Sequence, residues 1–224
     1  MTSLDGKPPG LNWDYTPSEI VVDGVVHAVG LCFGIVGAAV LIGWAAGRIT
    51  PLELAAILIY AAGLIAMLSF SAAYNLTPVS RVKWILRRFD HSAIFLMIAG
   101  TYTPFLTQIK NGMAALAIGI VVWGVAAAGI AMKVFIPGRF DRLSIAFYLL
   151  LSSCGLVAYD AVVASLPTPT LWLLLAGGLL YTFGVIFHVW ESLRFQNAIW
   201  HGFVLSAAVC HYVAILDCIV LTRA

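Results

Sequence analysis

Seven long apolar runs, separated by short polar breaks, organise the chain. Each is near the ~20 residues that a helix needs to cross about 30 Å of hydrocarbon. The first is read from about Glu19 to Ala46, with Ser18 as candidate N-cap. The second runs from Leu52 to Leu76, opening on Pro51 and closing before Pro78. The third runs from about Asp90 to Ile109, and the fourth from Met113 to Phe135, stopped by Pro137-Gly138. The fifth runs from Arg142 to Ser165, stopped by Pro167; the sixth from Thr170 to Trp190; the seventh from Ala198 to Leu221. No soluble domain interrupts them and no internal repeat is evident. The pattern predicts an all-α membrane protein, a seven-transmembrane-helix bundle spanning 18–224 behind a polar segment at 1–17.

Composition narrows the class further. The 224 residues are 62% hydrophobic and 10% charged, against about 25% charged in soluble domains. The net charge of +2, without a basic tract, gives nucleic-acid binding no support. Cys32, Cys154, Cys210 and Cys218 lie in apolar runs without a CxxC pair and are read as small buried residues. The first residues lack the charge-then-apolar pattern of a cleavable signal.

Basic residues predict the orientation, because they accumulate on the cytoplasmic side. Lys7, Arg81, Lys83, Arg87, Arg88, Lys133, Arg139, Arg142 and Arg194 fall on the N-terminal side; Arg48, Lys110 and Arg223 fall opposite. The N-terminus is therefore expected in the cytoplasm and the C-terminus outside. Arg81, Lys83, Arg87 and Arg88 are also expected to anchor anionic lipid head groups. Trp13, Trp84, Trp172, Trp190 and Trp200 fall near span ends, as an interfacial belt would.

Placed by depth, the polar residues gather on the N-terminal side. Ser71, Tyr74 and Asn75 end the second run, Asp90 and His91 open the third, and His188 ends the sixth. Asn197 and His201 start the seventh, and His27 lies two turns into the first. Ionisable groups in lipid face the bundle interior or a wet cavity, so a cytoplasmic-leaflet polar cavity is expected. Ser71/Asn75 and Asn197/His201 are both i,i+4 pairs, each on one helix face. Such pairs on facing helices are one way to build a metal site, although a lone histidine at a helix start is more often a hydrogen-bonded one. His27, His91 and His211 are read as interhelical hydrogen-bonding residues.

These residues also carry a resemblance. Ser71-x-x-Tyr74-Asn75, FDHSAIFLMIAGTYTPF at Phe89–Phe105, GGLLYTFG at Gly177–Gly184 and Asn197-x-x-x-His201-Gly-Phe-Val resemble the hemolysin III family. That family is the bacterial branch of the progestin and adipoQ receptor superfamily, and the resemblance extends from about Ser18 onward. It implies a seven-helix bundle in the bacterial inner membrane with zinc in the cytoplasmic leaflet. Three histidines would hold the ion, at positions 75, 197 and 201, with Ser71 and Asp90 beside it as catalytic candidates. Some superfamily members are described as hydrolases of lipid amides such as ceramides, with metal-bound water as the nucleophile.

Two of those three positions hold amides, Asn75 and Asn197, and amide oxygens are poor zinc ligands. His201 is the one retained ligand, with His188 as the candidate replacement. The sequence therefore predicts a degenerate zinc site and no tightly held cofactor, in a cavity lined by Tyr74, Asn75, Asn197 and His201. The expected function is membrane lipid sensing or homeostasis, with a membrane lipid or fatty-acyl ligand as partner. A metal-dependent lipid amide or ester hydrolase is the alternative, so enzyme activity is left open. A channel or cytolysin is a second alternative, disfavoured because no run carries a polar stripe along its length.

Overall fold

The computed structural model describes residues 15–136 and 141–221, with the side chains of Asp141 and Arg142 left out. The segment up to Asp14 with Lys7 and Trp13, the Pro137-Gly138 stop, the Arg139–Arg142 loop charges and Arg223 lie outside what is described.

Helix starts follow local chemistry. α1 (Pro17–Ala45) and α2 (Pro51–Leu76) share one device, Thr-Pro-x-Glu. Thr16 and Thr50 each accept from the backbone of the following glutamate, Glu19 or Glu53, whose carboxylate reaches back to the threonine N–H at 2.9 Å. This is a capping box with proline at the first helical position. Thr16, not Ser18, is thus the cap of α1. Ser80 caps α3 (Arg81–Leu106) and Asn111 caps α4 (Gly112–Phe135). The third helix starts nine residues before Asp90, because the charged stretch after Ser80 is itself helical.

The fifth run is not continuous. α5 (Asp141–Ser152) gives way to a 3₁₀ segment, Cys154–Ala158, and then to the short α6 (Tyr159–Val163). Ser152 and Ser153 bond back to the carbonyls of Tyr148 and Leu149, a pattern that loosens and bends helices. The Tyr102 hydroxyl bridges the break, donating to the Ser152 carbonyl and accepting from the Gly155 N–H. α7 (Thr168–Val189) and α8 (Gln196–Ile215) follow, and α8 ends in a π-helical turn at Leu216–Val220.

Among the described residues, six helical stretches are long and apolar enough to cross a membrane: α1, α2, α4, Leu143–Val163, α7 and Gln196–Val220. α3, with 26 residues, packs between α2 and α4 but carries four basic residues in its first two turns. No strand occurs among the described residues. The outer surface is apolar: Met113 is 75% exposed and Val157 92%. In water such a surface would aggregate; in lipid it is the ordinary exterior.

The helices meet through small residues. Gly63 of α2 lies against the Leu96 carbonyl and Gly100 of α3 against the Ile59 carbonyl, so the two backbones approach closely. A Cβ on Gly177 would meet the His211 ring at 2.5 Å, and one on Gly184 would meet Phe203 and Trp200. Lipid supplies no hydrophobic drive between helices, so this close fit and interhelical hydrogen bonds hold the bundle. α8 sits between α1 and α7, and α2 lies between α1 and α3. That order brings the ends of α1, α2, α3 and α8 together.

Candidate functional site

At the end where α1 and α8 begin, α2 finishes and α3 has run about two turns, polar side chains from four helices converge. Their starting point is Asp23, one turn after Glu19 and one turn before His27 on the same face of α1. Asp23 and His27 are each 5% exposed. Asp23 Oδ1 lies 2.6 Å from Nδ1 of His201, across the α1–α8 junction. Its Oδ2 lies 3.5 Å from His27 Nε2, and the His27 and His201 rings are 4.4 Å apart. His27 Nε2 is buried without a hydrogen-bond partner. Leaving a buried polar atom unsatisfied costs about 1–3 kcal/mol, so it calls for an explanation.

The second part joins α2 to α8. The Asn75 amide donates to the Ser71 carbonyl at 2.9 Å, as the i,i+4 spacing requires. Its oxygen accepts from the Asn197 amide at 3.5 Å, and Asn197 also pairs with the Tyr15 hydroxyl. Burial pushes the Tyr15 phenol up from its ordinary value. Asn75 and Asn197 are therefore an amide bridge between two helices. The three-histidine set implied by the resemblance does not fit these residues: two of its positions hold each other and offer no imidazole.

The third part is Asp90, whose carboxyl hydrogen-bonds with Ser71 and lies in the electrostatic field of His201 and His27. Asp90 and Ser71 are thus joined to the cluster, Asp90 at its flank. His91 Nε2 lies 4.0 Å from Asp90, and the Tyr148 hydroxyl donates to the His91 carbonyl.

Other expectations need correction. Tyr74 turns its ring toward Lys83 and His91 rather than into a cavity. Lys83 and Arg87 are buried, at 6% and 7% exposure. The Lys83 ammonium caps α2, donating to the carbonyls of Tyr74, Asn75 and Thr77 at 2.8, 3.2 and 2.9 Å. Of the four basic residues expected at lipid head groups, Arg81 alone is fully exposed. His188 stacks on Trp200 and is not part of the Asp23 group. His211 hydrogen-bonds to the Leu174 carbonyl and packs on Tyr181, as a buried structural histidine. Cys32 is exposed on the apolar surface rather than buried.

Asp23 is the residue of this cluster that sequence reasoning missed. Its signal was present in the Glu19-x-x-x-Asp23-x-x-x-His27 spacing, which puts three polar groups on one face of an otherwise apolar helix. Glu19 also had more to do than cap α1: its other oxygen accepts from the Phe195 N–H at 3.0 Å. Phe195 has φ 61°, a left-handed conformation unusual for a bulky residue. Glu19 thereby ties the start of α1 to the turn that launches α8 and aims Asn197 and His201. Between them lies a cleft lined by Tyr15, Glu19, Asp23, Asn75, Phe195 and Asn197, with a cavity volume of about 10 Å³. That is room for one water.

Comparison with known proteins agrees with the motifs. The family model described as "Haemolysin-III related" matches residues 16–212. "Hemolysin-3 homolog" of Bacillus subtilis is 32% identical over 202 residues, covering 90% of this chain and 95% of that protein. "Hemolysin-3" of Bacillus cereus is 33% identical over 198 residues, covering 88% and 90%. "Monocyte to macrophage differentiation factor" of Homo sapiens is 32% identical over 165 residues, covering 70% and 67%. No solved structure is significantly similar to the chain.

Proposed function

The chain belongs to the haemolysin III family of multi-pass membrane proteins, and on that footing we propose that it monitors membrane lipid through the polar end of its bundle. In this reading α3 and the interrupted fifth run complete seven spans, with the N-terminus in the cytoplasm and the C-terminus outside, in a bacterial inner membrane. The observation that carries it is the convergence of Asp23, Asn75, Asp90 and His201, from four helices, at one end of an apolar bundle. Groups so costly to keep in a membrane are retained for binding or chemistry.

The small cleft sets the form of the ligand. It holds no more than a water, so in this reading the polar head of a lipid sits over its mouth, at Tyr15, Asn75 and Asn197, while its chains lie along the apolar exterior. Glu19 and Asp23 at the same cleft favour an uncharged or cationic head over an anionic one. Photo-labelling of the purified full chain in phosphatidylcholine vesicles, with a lipid bearing a diazirine beside its head group, tests this. Labelling concentrated at the cleft segments 15–20 and 195–198, and competed by unlabelled lipid, is expected. Label spread evenly over the exposed helix faces overturns the reading.

A further inference from the structure

We propose that Asp23, His27 and His201 form a divalent-cation site, of the class that takes zinc, built on α1 and α8 rather than on the three-histidine positions. The donor set is two imidazoles and one carboxylate, whose ligand atoms all lie within 4.8 Å of one another. Two histidines with one acid and an open position are a recurrent zinc arrangement. The second observation is independent of the spacing: His27 Nε2, on a side chain 5% exposed, lies 3.5 Å from the Asp23 carboxylate, an ion-pair distance, without a well-formed hydrogen bond. A buried imidazole held only by a long contact to a carboxylate stands as a metal ligand would. The chemistry of the surroundings agrees. Asp90 adds a second carboxyl group near both rings.

The amide bridge explains why the site stands where it does. Asn75 and Asn197 bond each other and leave the α2 corner without imidazoles. His201 then turns its Nδ1 to α1, where Asp23 and His27 stand one turn apart. Imidazole and carboxylate groups bind a metal only when deprotonated, so uptake weakens as pH falls. This inference does not rest on the lipid reading, since metal content is read with no lipid ligand present.

The test is metal analysis of the purified full chain in detergent, stripped with chelator, reloaded with zinc and desalted. About one equivalent is expected in the parent protein and in His188→Gln. Asp23→Asn and His27→Gln are expected to bind more weakly by more than the ~100-fold that loss of an outer-shell partner costs. Cobalt loading supplies a second reading: the visible absorption of a low-coordinate cobalt centre appears in the parent protein and vanishes in both variants. Should a variant fail to fold, the thermal midpoint of the parent decides, rising with zinc and falling back with chelator. A parent that takes up no metal overturns the proposal. So does zinc that is retained in folded Asp23→Asn but lost in Asn75→Ala, which would place the ion at the amide corner.

Discussion

The two ends of this bundle both bury carboxylates, and they treat them differently. At the end where α1 finishes and α2 begins, Glu53 is 5% exposed and fully engaged. It serves the Thr50 capping box and accepts from the Gln108 amide at 2.8 Å. Asp217, in the π-helical turn, accepts from the Thr170 hydroxyl at 2.6 Å. The donors that meet each acid there are neutral: a backbone N–H, hydroxyls and an amide. At the opposite end Asp23 meets two histidines, one of them with an unpartnered nitrogen, and Asp90 stands beside them. Carboxylates met by hydroxyl and amide donors fix helix ends; an acid set between two imidazoles is the arrangement proposed to take a cation.

That contrast can be broken by mutation. The largest effect is expected for His201→Ala. It leaves the buried Asp23 with the longer His27 contact, and removing one partner of a buried pair costs about 3–5 kcal/mol. Unfolding in detergent measures it, and a loss below 1 kcal/mol, the size of a surface pair, would show that Asp23 and His201 are not coupled. Thr170→Val, at the other end, removes one bond to Asp217. Interhelical bonds in membranes are worth about 0.6–1.7 kcal/mol, so a loss in that range is expected, with zinc content unchanged. Loss of zinc in Thr170→Val would dissolve the distinction between the ends.

Smaller still is the comparison of the two capping boxes. Thr16→Ala and Thr50→Ala should each cost about 1 kcal/mol. They differ in consequence, because Glu19 also holds the Phe195 N–H. Thr16→Ala is expected to speed proteolysis in the turn before α8 and to weaken zinc, whereas Thr50→Ala leaves both unchanged. Limited proteolysis with metal analysis separates them. The mildest change is Asp90→Asn, which keeps a hydrogen-bonding group toward Ser71 while removing the flanking charge. Zinc affinity should fall by ~10-fold, the lower range for outer-shell partners.

The helices were legible because apolar runs of membrane length leave few alternatives, and Pro51, Pro78 and Pro167 mark their ends. The third start was missed because charge was read as a boundary, whereas Lys83 and Arg87 are buried against neighbouring helices. The break in the fifth run was hidden for a different reason. Ser152, Ser153 and Gly155 are common in membrane helices, and it is Tyr102, fifty residues away, that satisfies the broken backbone. At the site, the partnership of Asn75 with Ser71 followed from i,i+4 spacing, and that of Asp90 with Ser71 from their depth. Asp23 gave little signal because it is a single acid inside an apolar run, and its partner His201 lies on a helix 178 residues away. Likewise the far end was read as wholly apolar, although Glu53, Gln108 and Asp217 lie there. Single acids inside apolar runs are easily passed over until a partner on another helix is in view.

The most direct measurement sets one acid from each end side by side: zinc content of Asp23→Asn and Asp217→Asn, both as purified full chain after stripping and reloading. The account predicts about one equivalent in Asp217→Asn and none in Asp23→Asn. Equal zinc in the two would contradict it.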